Sequence, residues 1–559
     1  MDVTAPAATE AFVARYARRH PVTATFAGLH AHSGSWPDWS PAGLEAQRGE
    51  VDAMRAQLLA HDAHIDPVLE ADRQVALGAL AIEAEELDGT HMVRGNPSLW
   101  LGETAFGLIG LMHDRDCALD PARHSAALMQ RIAELPAFLD AMPETIVPGA
   151  MHPAVLERAQ RELDAVDALV ARGVPAWLHV AGGAGHDMSS LVSLLLDAQH
   201  ALERTRTWLD GLPPSREAHA GSAGPALFAR VLADGHECAA SPRDLLVEAR
   251  DALAEATATL DVRCAEAGVS DYMEAQRRLA ADVPDAGRYL AEYEEAWHRC
   301  ASAGDRVIPM PRDAFEVVFE PIPAWAREAS PALYYLYYRS PAPWKWPARY
   351  RYEVPWIDGL SATAKEAKLR QWNRSQLRLN HVVHHACLGH HRQNWAQARA
   401  RGPVARLAAV DGASRLALAA GGTMAEGWSC YAVELYEELG LLSPLERVAE
   451  QHTRVRICAR AVADLLLHAA GAPLEDVAAL YERKGLMTPA AAHAEAVKNA
   501  IFPGMAIMYW LGTRTIHAAR ATASRQPGFD LRAWHERLLS YGALPLPTVM
   551  QLMQSGASA

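Results

Sequence analysis

Apolar residues recur at intervals of three and four through most of the chain, in blocks interrupted by proline and glycine. That spacing lines one face of a helix, and it predicts amphipathic helices over Pro41 to Ala60, Asp72 to Leu87, Ala154 to Ala171, Ser189 to Leu209, Pro242 to Glu266 and Leu445 to Ala470. Alternating patterns of strand type are scarce, and no repeat period marks a solenoid. The pattern therefore predicts a mainly α fold. The exception runs from Glu320 to Trp356, a stretch crowded with Pro, Trp and Tyr that suits short strands or an ordered loop. Its simplest form is a hairpin packing its rings on the helical body; the alternative is an aromatic wall along a substrate cleft. From Ala362 to Ala386 the helical pattern resumes. The segment AGGAGHD, Ala181 to Asp187, lacks the ending of a phosphate loop and reads as a turn, and the final MQSGASA reads as a frayed tail.

Length sets the organisation. At 559 residues the chain exceeds what one hydrophobic core usually serves, so two or three lobes, or one large helical body around a deep cleft, are expected. The natural division puts residues 1–319 on one side of the cleft and 320–559 in the half that carries the histidines. Half the residues are hydrophobic and 21% are charged, as in ordered globular proteins. The net charge of -14 comes without a basic block, which sets nucleic acid aside as a partner. Seven cysteines are scattered without a C-x-x-C pair, so neither a disulfide framework nor a cysteine zinc site is expected, and a reducing compartment fits. The N-terminus lacks a signal-peptide core and no stretch is apolar enough to span a membrane. These readings predict a cytoplasmic protein with no membrane partner.

The candidate chemistry lies in HVVHHACLGHH, where His381, His384, His385, His390 and His391 fall within eleven positions. Neutral imidazole is a favoured ligand of zinc and its neighbours. On a regular helix His381 and His385 share a face and pinch one ion without distortion. His384 and His390 would lie ~9 Å apart along the axis, so they meet only where the helix is bulged or broken. Gly389 is the place for such a break. His391 suits either ligation or support of a ligand. A carboxylate normally completes such a set, and Glu426, in the apolar setting of Met424, Ala425 and Trp428, is the candidate. Glu434, Glu437 and Glu438 read as a solvated face of the same helix.

Two of these segments, HHACLGHHRQ (His384 to Gln393) and EGWSCYAVE (Glu426 to Glu434), resemble the HExxPGHHxQ and EGWxxYAE motifs of the bacterial family named domain of unknown function 885. HPVTATFAGLHAHSGSWPDWS from His20, RAVADLLLH (Arg460 to His468) and PGMAIMYWLG (Pro503 to Gly512) resemble further family segments, so the likeness spans nearly the whole chain. The resemblance implies a mostly helical, zincin-like body with a deep cleft and one divalent metal ion, zinc by preference. It also implies His384, His390 and Glu426 as ligands, and peptidase-like hydrolysis. The chain departs from the pattern at His385, where the family has Glu, at Leu388 in place of Pro, and at Met505 and Trp510, where Gln and often Lys are usual.

The missing Glu is the general base of a zincin, and His385 can replace it, because a neutral imidazole is a competent base within hydrogen-bond reach. The expected reaction is metal-assisted hydrolysis of an amide or peptide-like bond in a small molecule or short peptide. His385 or His391 would shuttle the proton, and Tyr509 would donate to the oxyanion. Asp464 and His468 have the spacing of a pair that orients a ligand, His381 a place beside the ligands, and Arg456 and Arg460 the chemistry to bind a substrate carboxylate. Two histidines and a carboxylate also suit iron or manganese, so a lyase or oxygen-using activity, or a non-catalytic metal-binding protein, stand as alternatives. Cys387 and Cys430 have no clear activating partner.

Overall fold

The computed structural model describes all residues except 1–4, 61–65, 114–120, 182–187, 218, 332–337, 412–415 and 558–559. Apart from Ala181, which ends a helix, the expected turn at AGGAGHD lies outside the described residues. The body is α-helical, as the apolar spacing predicts. Pro242–Glu266 forms one helix over the predicted span, started by the Ser241 side chain, which accepts from the Asp244 N–H, with Pro242 where a missing N–H costs nothing. The Asp72 helix begins earlier, at Pro67, because Asp66 caps it in the same way. Pro444–Asp464 opens on a capping box between Ser443 and Glu446, then widens into a π-wound turn over Leu465–Ala469. The last helix, Leu546–Ser555, takes in the first three residues of the expected tail, Met553 to Ser555.

The aromatic stretch does form strands, but not a hairpin. Strand β1 (Val317–Pro321) pairs in parallel with β2 (Tyr350–Val354), with Val317 opposite Tyr350. A two-residue turn cannot join parallel neighbours, so the chain between them must cross over. The aromatic pattern carries no information on strand direction, which is why the hairpin expectation fails.

Two apolar cores hold the body together, and each draws on both halves of the chain. The first surrounds Pro97–His113, a helix buried on all sides. The second surrounds the histidine segment and Gly422–Glu438. Gly422–Glu438 crosses Met508–Ala523 where two glycines meet. A Cβ on Gly512 would sit 2.2 Å from the Thr423 carbonyl oxygen, and one on Gly427 would sit 2.6 Å from Gly512 Cα. That close crossing sets Glu426 and Tyr509 on neighbouring turns of two touching helices.

Candidate metal centre

The histidine segment is not a regular helix. Gln376–Ala386 is π-wound, its hydrogen bonds reaching one residue further than in an α-helix, and it ends at Cys387. A new helix, His390–Gln397, starts after Gly389. At the break the Gly389 N–H turns back to the Val383 carbonyl at 2.8 Å. A Cβ on Gly389 would lie 2.0 Å from the His384 carbonyl oxygen, so only glycine permits this return of the chain.

A broken helix exposes carbonyls that must find partners. Two buried indoles supply them: Trp297 Nε1 donates to the Ala386 carbonyl and Trp428 Nε1 to that of Leu388, both at 2.9 Å. Trp428 stands on the Glu426 helix, so the same bond that satisfies the break ties the two motifs together.

The break brings three imidazoles to one place. The nearest ring nitrogens of His384, His385 and His390 lie within 4.8 Å of one another. Glu426 Oε2 sits 3.4 Å from His390 Nε2 and 4.0 Å from His384 Nε2. The side chains of His384, His390 and Glu426 keep 15%, 13% and 14% of their surface exposed, so the group is reached from outside. Burial, the largest influence, pushes the Glu426 carboxyl up, yet His390, His384 and Lys498 outweigh it and hold the group at about 2. Burial, aided by His390, pushes His384 down to about 3, and burial with His384 and His390 drives His385 well below its usual value. A neutral His384 and an ionised Glu426 are the forms a cation requires of them.

The donor set fits a divalent ion. Glu426 Oε2 and His385 Nδ1 are buried without a hydrogen-bond partner, and such atoms cost about 1–3 kcal/mol each unless something polar meets them. A cation ligated by His384, His390 and Glu426 would meet the carboxylate oxygen where it now has none.

The other sequence-expected residues fall in different places. His381 is not brought to the cluster: the wider π turn undoes the i,i+4 alignment with His385, and its Nδ1 meets the Tyr293 hydroxyl at 2.7 Å. Neither is His391, whose Nε2 bonds the Phe315 carbonyl at 3.0 Å and whose ring packs on Phe315 and Trp346. Tyr509 stands on the helix that crosses the Glu426 helix, its ring 4.8 Å from the Arg460 guanidinium. Burial and the Glu426 charge push its hydroxyl well above the ordinary value, so it stays a donor. Arg460 holds Glu495 at 2.6 Å, and Arg456 lies on the same face one turn away.

Asp464 and His468 form a buried pair of another kind. Asp464 Oδ2 accepts from the Ala506 and Ile507 N–H groups, at the start of the helix that carries Tyr509. His468 accepts from the Ala223 N–H and meets the Asn499 carbonyl at 3.0 Å. The pair thus positions the Tyr509 helix, and among the described residues neither member bonds to His384, His390 or Glu426.

Some neighbours of the cluster were not singled out by sequence. Tyr338 packs its ring 5.9 Å from His385 and 6.1 Å from His390, and its hydroxyl accepts from Asn394. With Tyr350 and Tyr352 it makes the aromatic stretch a wall against the histidines, a role its composition did signal. Asp411, half-buried and pushed up by desolvation, feels the charges of Arg339, His390 and Glu426. Lys498 comes from a helix with no motif at all.

The family described as "Bacterial protein of unknown function (DUF885)" matches residues 21–553. No curated protein matches the chain. Two solved structures share the fold, each described as a putative lipoprotein. One, of unknown function and from Shewanella oneidensis, is 18% identical with a TM-score of 0.75, over 99% of this chain and 100% of its own. The other, from Colwellia psychrerythraea, is 14% identical with a TM-score of 0.72, over 99% of both chains. These neighbours overturn the expectation of a cytoplasmic protein, because lipoproteins are held at a membrane by lipid, a device that composition does not reveal. No helix among the described residues is long and apolar enough to cross a membrane.

Proposed function

The chain belongs to the family of bacterial proteins of unknown function DUF885, and within it we propose a metal-dependent hydrolase of amide or peptide-like bonds. The observation that carries this reading is the convergence of His384, His385, His390 and Glu426 at a solvent-reached point where the Glu426 Oε2 lacks a hydrogen bond. His384, His390 and Glu426 would hold the ion, zinc by its preference for imidazole and carboxylate. Once bound, such an ion supplies Lewis acidity toward a carbonyl and toward water.

The protein's own groups do the rest. His385, kept neutral by burial, takes a proton as the water oxygen bonds to the carbonyl carbon. Tyr509, kept protonated, donates to the oxygen on which negative charge develops. As the C–N bond breaks, the imidazolium of His385 returns its proton to the amine nitrogen, and the ring is neutral again.

The test is metal removal. Full-length protein stripped with a chelator and refilled with zinc is assayed for amine release from a library of short peptides and small amides. Hydrolysis that falls at least ~100-fold on stripping and returns on refilling is expected, given the size of the lost electrostatic contribution. Hydrolysis indifferent to the chelator, or none from the refilled protein, contradicts the reading.

A further inference from the structure

Two cations, Arg460 and Lys498, approach the centre from two helices, and a third, Arg456, stands beside Arg460 and Glu495. Arg456 and Arg460 stand one turn apart on Pro444–Asp464, and Lys498 stands on Pro489–Ile501. Their charges act on the centre itself, Arg460 on His384 and Lys498 on Glu426. The Tyr509 ring lies 4.8 Å from the Arg460 guanidinium, and its hydroxyl feels the Glu426 charge.

One carboxylate opposes them. Glu495 accepts from Arg460 Nε at 2.6 Å and also feels Lys498 and Arg456. The other acids nearby are committed elsewhere. Asp464 accepts backbone N–H groups, Glu162 holds Arg158, and Glu434, Glu437 and Glu450 gather on Arg454. With Glu426 assigned to the ion, this group of cations keeps a surplus of positive charge. Arg456 Nε is buried without a hydrogen-bond partner, and among the described residues the Lys498 ammonium makes no hydrogen bond.

Partly buried cations without matching anions are costly, and a protein keeps them where a ligand brings the missing charge. Guanidinium forks match a planar carboxylate two bonds at a time, and an ammonium adds a point charge. A peptide-like substrate carries such a group at its C-terminal end.

We infer that Arg456, Arg460 and Lys498 anchor the terminal carboxylate of the substrate, so that the centre acts on bonds close to a free C-terminus. This rests on the hydrolase reading for the bond that is cut, but the anchor itself needs no chemistry to be seen. The substrate is therefore an acid, and blocking its carboxylate weakens it.

Binding of N-dansyl tetra-alanine as the free acid and as the C-terminal amide is followed by fluorescence anisotropy, with metal-free and zinc-loaded full-length protein. Wild type is expected to bind the acid at least ~10-fold more tightly, the scale of one or two charge-assisted hydrogen bonds. Lys498→Met and Arg456→Met are expected to bring the ratio near one, while Lys498→Arg keeps it, which separates charge from packing. Equal binding of acid and amide by wild type, or no binding of either, overturns the anchor whatever the metal content. A preference for the acid in a protein that takes up no zinc overturns the hydrolase reading and leaves the anchor standing.

Discussion

Gly389→Ala is expected to abolish metal uptake, weakening affinity by about 100-fold or more, while the chain still folds. The added Cβ would stand 2.0 Å from the His384 carbonyl oxygen, a distance that no side-chain rotation relieves, because both partners are backbone. The Val383 to Gly389 return must open, and His384 and His390 separate with it. Displacing a ligand by about 1 Å is enough for a loss on this scale. The strain also lowers stability by about 1–3 kcal/mol, as overpacking of a tight site does. Gly49→Ala is the control: its added Cβ meets nothing within 4 Å, and metal uptake is expected to be unchanged. Normal uptake by Gly389→Ala, measured by zinc titration, removes the break from the account.

How much of this was legible in the sequence depends on what each feature rests on. The helix Pro242–Glu266 was fully legible, since its cap, its first-turn proline and its apolar spacing are all local. The need for a break near Gly389 was legible only with the family resemblance, which names His384 and His390 as ligands; helix spacing alone favours the undistorted pair of His381 and His385. The π winding before the break was not legible, because it is fixed by Trp297, Trp428 and Tyr293, residues far away in sequence that take up the carbonyls and the His381 ring.

The same limit governs the rest of the site. Asp464 and His468 carry the spacing of a functional pair, yet their partners are backbone groups from three other segments, and no local pattern names those. Lys498 sits in an ordinary amphipathic helix and gains its place only by packing. Tyr338 belonged to a stretch whose composition promised a wall, but the parallel pairing that delivers it depends on a crossover the aromatic pattern does not encode.

The second large effect concerns His385. With zinc bound, His385→Ala is expected to cut hydrolysis by about 10²–10⁴-fold, the usual worth of a positioned base, while metal content stays at the wild-type level. His385→Glu, which restores the acid usual in the family, is expected to keep hydrolysis well above the alanine variant, because a carboxylate there serves the same proton transfer. Its pH profile should move up at the acid side, since the burial that lowers the His385 imidazole raises a carboxyl in the same place. Equal rates in wild type and His385→Ala take this residue out of the mechanism. Loss of zinc in His385→Ala makes it a third ligand instead of the base.

The central claim is that two imidazoles brought together by a backbone break, and one carboxylate from another helix, hold a single ion. Elemental analysis of full-length wild type, His384→Ala, His390→Ala and Glu426→Ala, each refilled with zinc and desalted, addresses it directly. The account predicts one zinc per wild-type chain and little or none in the three variants, all with unchanged helical content. Wild type without zinc, or variants that hold it as well as wild type does, would contradict the account.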